Sequence, residues 1–263
     1  MSKQQKNGIC VAIPTSGRPV CIEWAIAMAQ LSFPVGMNHS WGVSKADPAK
    51  GFTRDQQREA LAEYAGKINA EFTLWIDDDT VPPPTAAQEL FFVMAQNPNA
   101  GIVGGIYCTK EEIPSPIVFM ELGAGPHWQW TLGDIFKCAG LGTGCMMVRN
   151  SILKDIPKPW FKDTSEAQLG EVEQHGDVEL KIAGRSGTDD IFFCKKVAEA
   201  GYDIIAHGGI LPVHYDYETG IGYKIPQNSY PVISYQEKLN ALNATLPADQ
   251  QRILLPPASK VVR

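Results

Sequence analysis

The chain has 263 residues, enough for one large α/β domain or two small ones, and 44% of them are hydrophobic, enough for a sizeable core. A formal net charge of -6 with 20% charged residues excludes a protein held on nucleic acid mainly by a basic surface, though not a local basic groove. No apolar run reaches the length of a bilayer-spanning helix, and MSKQQKNG leads straight into a strand pattern with no signal-peptide core, so a cytoplasmic protein is expected.

Residues 8–14, GICVAIP, read as an apolar strand, and TSGRP then makes a polar turn before a helical run over 20–31. Strand, loop and helix in that order form the first half of a βαβ unit. The turn offers backbone donors, Thr15, Ser16 and Arg18 to a nucleotide; an ordinary β-to-α turn has the same composition. A second strand is expected near 39–44. A helix follows over 53–69, whose Leu61, Tyr64, Ala65 and Ile68 recur at helical spacing and are expected to face the sheet. Arg54, Gln57, Arg58 and Glu59 occupy its first turns. Either arginine can meet a diphosphate, although for Arg58 and Glu59 a surface charge pair is the plainer expectation.

Residues 72–84, FTLWIDDDTVPPP, hold the strongest signal in the chain. The aromatic and branched run from Phe72 to Ile76 suits a buried strand of a parallel sheet, and three prolines without backbone donors end it. Asp77, Asp78 and Asp79 thus arrive at the carboxyl end of a central strand, where open α/β sheets place their ligands. If strand geometry persists, Asp77 and Asp79 point to one side and Asp78 to the other. Like charges so close call for a positive partner, and a hard divalent cation carrying a phosphate is the natural one. A polar turn or helix start has the same appearance in isolation.

A helix over 85–97, buried on Leu90, Phe91 and Met94, and a strand over 100–107 continue the alternation, which argues for a parallel, right-handed α/β layer. The second half changes character, with short strands expected over 117–120, 127–131 and 135–138. GLGTGCMMVRNSIL (140–153) then reads as a glycine turn, a strand over 145–148 and a short helix start; its glycines serve first to let the backbone turn tightly. The polar stretch 162–185 includes His175, Asp177 and Glu179, a conceivable ligand edge or a solvated loop. Thr188 and Gly201 bracket a helix as N-cap and C′ residues, with Asp189 and Asp190 in its first turn, where acidic side chains complement the helix dipole. A strand over 203–206 precedes LPVHYD (211–216), in which His214 competes with His207 as a functional imidazole; residues 218–231 read as a loop, a candidate flap. The six cysteines show no C-x-x-C pair and read as reduced core residues.

Taken in order over roughly 9–216, these parts are similar to nucleotide-sugar glycosyltransferases of the GT-A fold, most similar to the family 2 type. The order is strand and loop, arginine helix, Asp-x-Asp, glycine turn, acidic pair and late histidine. The resemblance implies an α/β, Rossmann-like, mixed but mainly parallel central sheet flanked by helices, with acceptor-side loops in the C-terminal half. It implies a single catalytic domain over 1–233, with 1–110 the nucleotide-binding half and 111–233 the acceptor-binding half, followed by a C-terminal helix and tail over 234–263. Pro14, Thr15, Arg18, Arg54, Asp77 and Asp78 become donor-binding candidates. Asp77, Asp79 and His214 become ligands of Mn²⁺ or Mg²⁺. Asp190 becomes the general base of an inverting transfer, with Asp189 beside it, and an aspartate at a helix start is expected to stay ionised. Two positions depart from the family pattern: Arg54-Asp55 stands where Arg-Asn is frequent, and Asp189 where Glu is usual.

The implied donor is a nucleotide-sugar, UDP- or GDP-linked, and the acceptor is open among a glycan, a protein, a small molecule and a modified nucleobase. Two rivals come from other classes. A sugar-nucleotide pyrophosphorylase normally runs its first strand into G-x-G-T-R, and PTSGRP argues against it. A catalytically silent nucleotide-binding relative would be expected to lose acidic positions, and both acidic sets are present.

Overall fold

The computed structural model describes residues 8–47, 52–111, 114–164 and 188–225. His175, Asp177 and Glu179, and the helix and tail expected over 234–263, lie outside the described residues.

In chain order the elements are strand β1 (Gly8–Thr15), helix α1 (Ile22–Gln30), β2 (Asn38–Lys45), α2 (Arg54–Lys67), β3 (Phe72–Ile76), β4 (Thr80–Val81), α3 (Ala86–Gln96), β5 (Ala100–Gly105), β6 (Val118–Phe119), β7 (Ile135–Cys138), β8 (Gly140–Leu141), β9 (Cys145–Arg149), α4 (Asp189–Glu199), β10 (Asp203–His207), β11 (Val213–Asp216) and β12 (Ile221–Tyr223). Seven strands form the central sheet in the order β2-β1-β3-β9-β5-β10-β7. β2, β1, β3, β5 and β10 run one way, and β9 and β7 run against them. The mixed, mainly parallel sheet expected from the sequence is therefore present. β3 and β5, however, are not neighbours, because the antiparallel β9 lies between them.

Side chains alternate across this sheet and split the core in two. Trp75, Met146 and Val148 point to the face covered by α2 and α4, where they meet Leu61, Phe193 and Val197. Leu74, Ile76 and Met147 point to the face covered by α1 and α3, where they meet Met28, Leu90 and Met94. A sheet covered on both faces explains why Phe72–Ile76 is buried at every position, the hydroxyl of its one polar residue, Thr73, donating to Asn150 Oδ1. Leu61 and Ala65 face inward as the helical spacing requires, whereas Tyr64 and Ile68, expected beside them, are each 38% exposed. The strand expected over 127–131 is not formed; the segment is loop there, and Trp130 packs against the core.

The chain leaves β1 to one side to make β2 and returns on the other side to make β3. The carboxyl ends of β1 and β3 thus flank the point where strand order reverses, the crevice where open α/β sheets bind ligands. A second, three-stranded sheet, β12-β11-β4, is built at that edge. β4 is only two residues long, but pairing with β11 sets His214 opposite Thr80 and so beside the aspartates.

Candidate functional site

The loop after β1 is fixed to the end of β3. The Thr15 hydroxyl donates to Asp78 Oδ2 at 2.6 Å, and the Ser16 amide donates to the same oxygen at 3.1 Å. Gly17 closes the turn at φ +80°, a left-handed conformation that favours glycine. Burial pushes the Asp78 carboxyl above its ordinary range, opposed by the Thr15 hydroxyl. Tyr217 closes over the same turn, its hydroxyl donating to the Asp78 carbonyl.

Strand geometry does not persist through the three aspartates, and each turns to a different partner. Asp77 faces Arg58, which donates through both terminal nitrogens to its two oxygens at 3.0 and 3.1 Å. The Arg58 Nε donates to Asp189 Oδ2 at 2.6 Å, and Arg54 lies 3.4 Å from the other Asp189 oxygen. Arg58 is 1% exposed, which corrects its reading as one half of a surface charge pair. Glu59 is not its partner either; it accepts from the Phe161 amide at 2.7 Å. Burial alone would raise the Asp189 carboxyl, but Arg58 and Arg54 outweigh it and hold Asp189 low.

Asp190, next in the helix, behaves in the opposite way. Burial and the neighbouring Asp189 charge push its carboxyl up, against the Thr188 hydroxyl and the Ile191 amide, which donates to Oδ1 at 2.8 Å. The expectation drawn from its place at a helix start is thus shifted toward the protonated form by its surroundings. Asp190 stays partly exposed while Asp189 is buried.

Asp79 faces away from Asp77. Its Oδ2 accepts from Lys110 Nζ at 2.5 Å, and its Oδ1 lies 3.6 Å from His214 Nε2. His214 Nδ1 is 2.7 Å from the Cys108 carbonyl oxygen, which only accepts, so Nδ1 carries a proton. The Nε2 edge of the ring therefore faces the Asp79 carboxylate. Metal-bound imidazoles commonly donate their other N–H to a carbonyl in this way. Burial opposes ionisation of Asp79, but His214 and Lys110 outweigh it and hold the carboxyl low. Asp79 and His214 together could hold a divalent cation whose remaining positions are filled by phosphate and water. Asp77 does not join them, since both its oxygens are taken by Arg58. Among the described residues no group of three His, Cys, Asp or Glu side chains is arranged to hold a metal.

These groups border an open cleft lined by Pro14, Thr15, Ser16, Arg18, Arg54, Asp77, Asp78 and Asp79, all drawn from stretches singled out in the sequence. Gln57, Lys110, Asp216 and Tyr217 also line it and were not expected there. Gln57 is buried because its amide donates to the Thr15 and Ser44 carbonyls, tying the ends of β1 and β2 together. Only the position of Lys110, just past a strand that ends at the same sheet edge, could have pointed to it. Asp189, Asp190 and His214 are not among the residues that line it. His207, the rival imidazole, sits elsewhere and is held low by burial, with Glu89 opposing. The glycine turn before β9 packs on Tyr107: the Gly144 amide donates to its hydroxyl at 3.0 Å. All six cysteines are free thiols. No described helix is long and apolar enough to cross a membrane.

No protein-family model matches this sequence, and no curated relative matches it. Among solved structures, A197 from STIV is similar over 83% of this chain and 94% of its own, at 15% identity and a TM-score of 0.52. TarS 1–349 of S. aureus in complex with UDP-GlcNAc is matched over 76% of this chain and 56% of that one, at 13% identity and a TM-score of 0.42. A second structure of S. aureus TarS 1–349 is matched over 58% of this chain and 51% of that one, at 12% identity and a TM-score of 0.36. At such identity the likeness to A197 is one of fold alone.

Proposed function

We propose that this protein is a metal-assisted glycosyltransferase that moves a sugar from a nucleoside-diphosphate donor to an acceptor hydroxyl. The observation that supports it most directly is the meeting, at the reversal point of strand order, of the Thr15–Arg18 turn, whose Arg18 lines the cleft, with Asp79, whose Oδ1 lies 3.6 Å from His214 Nε2. In this reading the Thr15–Arg18 turn and Arg54 hold the donor. Asp79 and His214 would hold Mn²⁺ or Mg²⁺, which when bound would offset charge growing on the leaving diphosphate.

Asp190 takes the proton of the acceptor hydroxyl. A carboxyl raised above its ordinary range is the stronger base once ionised, which suits that task. Asp189 acts through position: clamped by Arg58 and Arg54, it fixes the first turn of α4 and with it the direction of Asp190. Attack from the face opposite the diphosphate would invert the anomeric centre.

The test is thermal stability with UDP, GDP, CMP and ADP, each with Mn²⁺ and with EDTA. A ligand that binds only the folded state raises the melting temperature by mass action. One nucleotide should give a metal-dependent shift that Asp79→Asn removes, and its sugar conjugates should then support transfer. If no nucleotide shifts the transition with either additive, the glycosyltransferase reading fails.

A further inference from the structure

Lys110 lies one residue beyond the stretch joining β5 to the Cys108 carbonyl that orients His214. Its ammonium is bonded to Asp79 on the oxygen not facing the histidine, and its side chain, 25% exposed, belongs to the lining of the cleft. The Asp79 carboxylate is thus approached from two sides, by a lysine ammonium and by the Nε2 edge of an imidazole. A divalent cation shared by Asp79 and His214 would come within a few ångströms of that ammonium, and like charges at such range repel strongly in a half-buried site. The lysine stem is flexible and its charge compact, so the ammonium can leave. Another anion of the protein lines the cleft, Asp216, whose carboxyl is held low mainly by the Glu218 amide and the Thr219 hydroxyl, with Lys110 contributing. A bound diphosphate would offer a stronger one.

We propose that Lys110 is a resident cation of the ligand-free site: it neutralises Asp79 until a metal arrives, and then transfers its ammonium to the diphosphate carried by that metal. This rests on the nucleoside-diphosphate reading and adds a residue to it. Lys110 would therefore oppose the binding of metal alone and favour the binding of metal with diphosphate, two effects of opposite sign from one side chain. A lysine that merely braced the loop would move both affinities the same way.

The experiment measures Mn²⁺ binding by electron paramagnetic resonance, and inorganic pyrophosphate binding at saturating Mn²⁺ by calorimetry, in wild type, Lys110→Met and Lys110→Arg. Lys110→Met should bind Mn²⁺ alone about tenfold more tightly and pyrophosphate about tenfold more weakly, the size of one charge-assisted contact. Lys110→Arg keeps the charge and should retain the weak Mn²⁺ binding of the wild type. Unchanged affinities in Lys110→Met, or affinities that change in the same direction, would overturn the exchange while leaving the metal-and-nucleotide reading in place. Mn²⁺ binding that Asp79→Asn does not alter would remove both.

Discussion

A guanidinium that is 1% exposed has given up its water, and Arg58 replaces it with two carboxylates: a two-pronged contact to Asp77 and a single bond to Asp189. Removing such a group leaves Asp77 without its cation and Asp189 with only the half-exposed Arg54. Arg58→Met should therefore cost about 3–5 kcal/mol of stability. Arg58→Lys should recover only part of this, because a point ammonium cannot span both carboxylates as the planar fork does. Urea unfolding of the two variants measures it; a loss below about 1 kcal/mol in Arg58→Met, the range of an exposed pair, would mean that the cluster is not held by this charge. The sequence could not reveal it. Arg58 stands next to Glu59 in a charged stretch that looks like solvated helix, while its partners lie 19 and 131 positions away. Asp77 and Asp79 were legible as carboxylates at the sheet edge because a buried strand ends just before them. Their division between an arginine and a histidine was not, because it depends on a turn that breaks the alternation.

Elements with a strong period could be read closely: β3 falls on the expected apolar run, and α3 and α4 lie within a residue or two of their expected ends. β4 carries no such period in its two residues, yet it recruits β11 and brings His214 to Asp79. The prolines stop the chain only after this short strand, not directly after the aspartates. The glycine turn before β9 likewise has a reason visible only in three dimensions. A Cβ on Gly144 would sit 2.5 Å from Thr80 Oγ1 and 2.8 Å from the Tyr107 hydroxyl, so the turn is glycine because β4 and Tyr107 press on it. Gly144→Ala should destabilise by about 1–3 kcal/mol through overpacking. Tyr107→Phe removes one of the three obstructing atoms, leaving Thr80 Oγ1 and the ring Cζ at 2.9 Å, so the double variant should lose less than the sum of the single losses. Strict additivity in thermal or chemical unfolding would show that the turn relaxes away from Tyr107 without strain.

At the scale of the whole molecule, a covered α/β sheet follows from alternation, but the antiparallel β9 at its centre does not, because neither of its neighbours adjoins it in the chain. The same assembly draws Asp77, Asp78, Asp79, Asp189 and Asp190 to one edge of a chain whose formal charge is already -6. Their effects on stability have opposite signs. Asp79 and Asp189 are held low, so the stability they contribute is present above the unfolded carboxyl pKa, about 4, and is lost as pH falls through their folded values. Asp78 and Asp190 are raised, so their contribution is full below about pH 4 and is lost as pH rises through their folded values. Asp190→Asn isolates the second effect at the proposed base. Below about pH 4, where a carboxyl raised in the folded state keeps its proton in both states, the variant and the wild type should be close in stability. Toward pH 8 the variant should become the more stable of the two while transfer is lost, since a site that holds a carboxylate against its preference gives up stability for function. Melting temperatures across that range test the sign. A variant less stable than wild type at pH 8 would mean that the Asp190 charge is welcomed by its surroundings, and would remove the strain that the proposed base draws on.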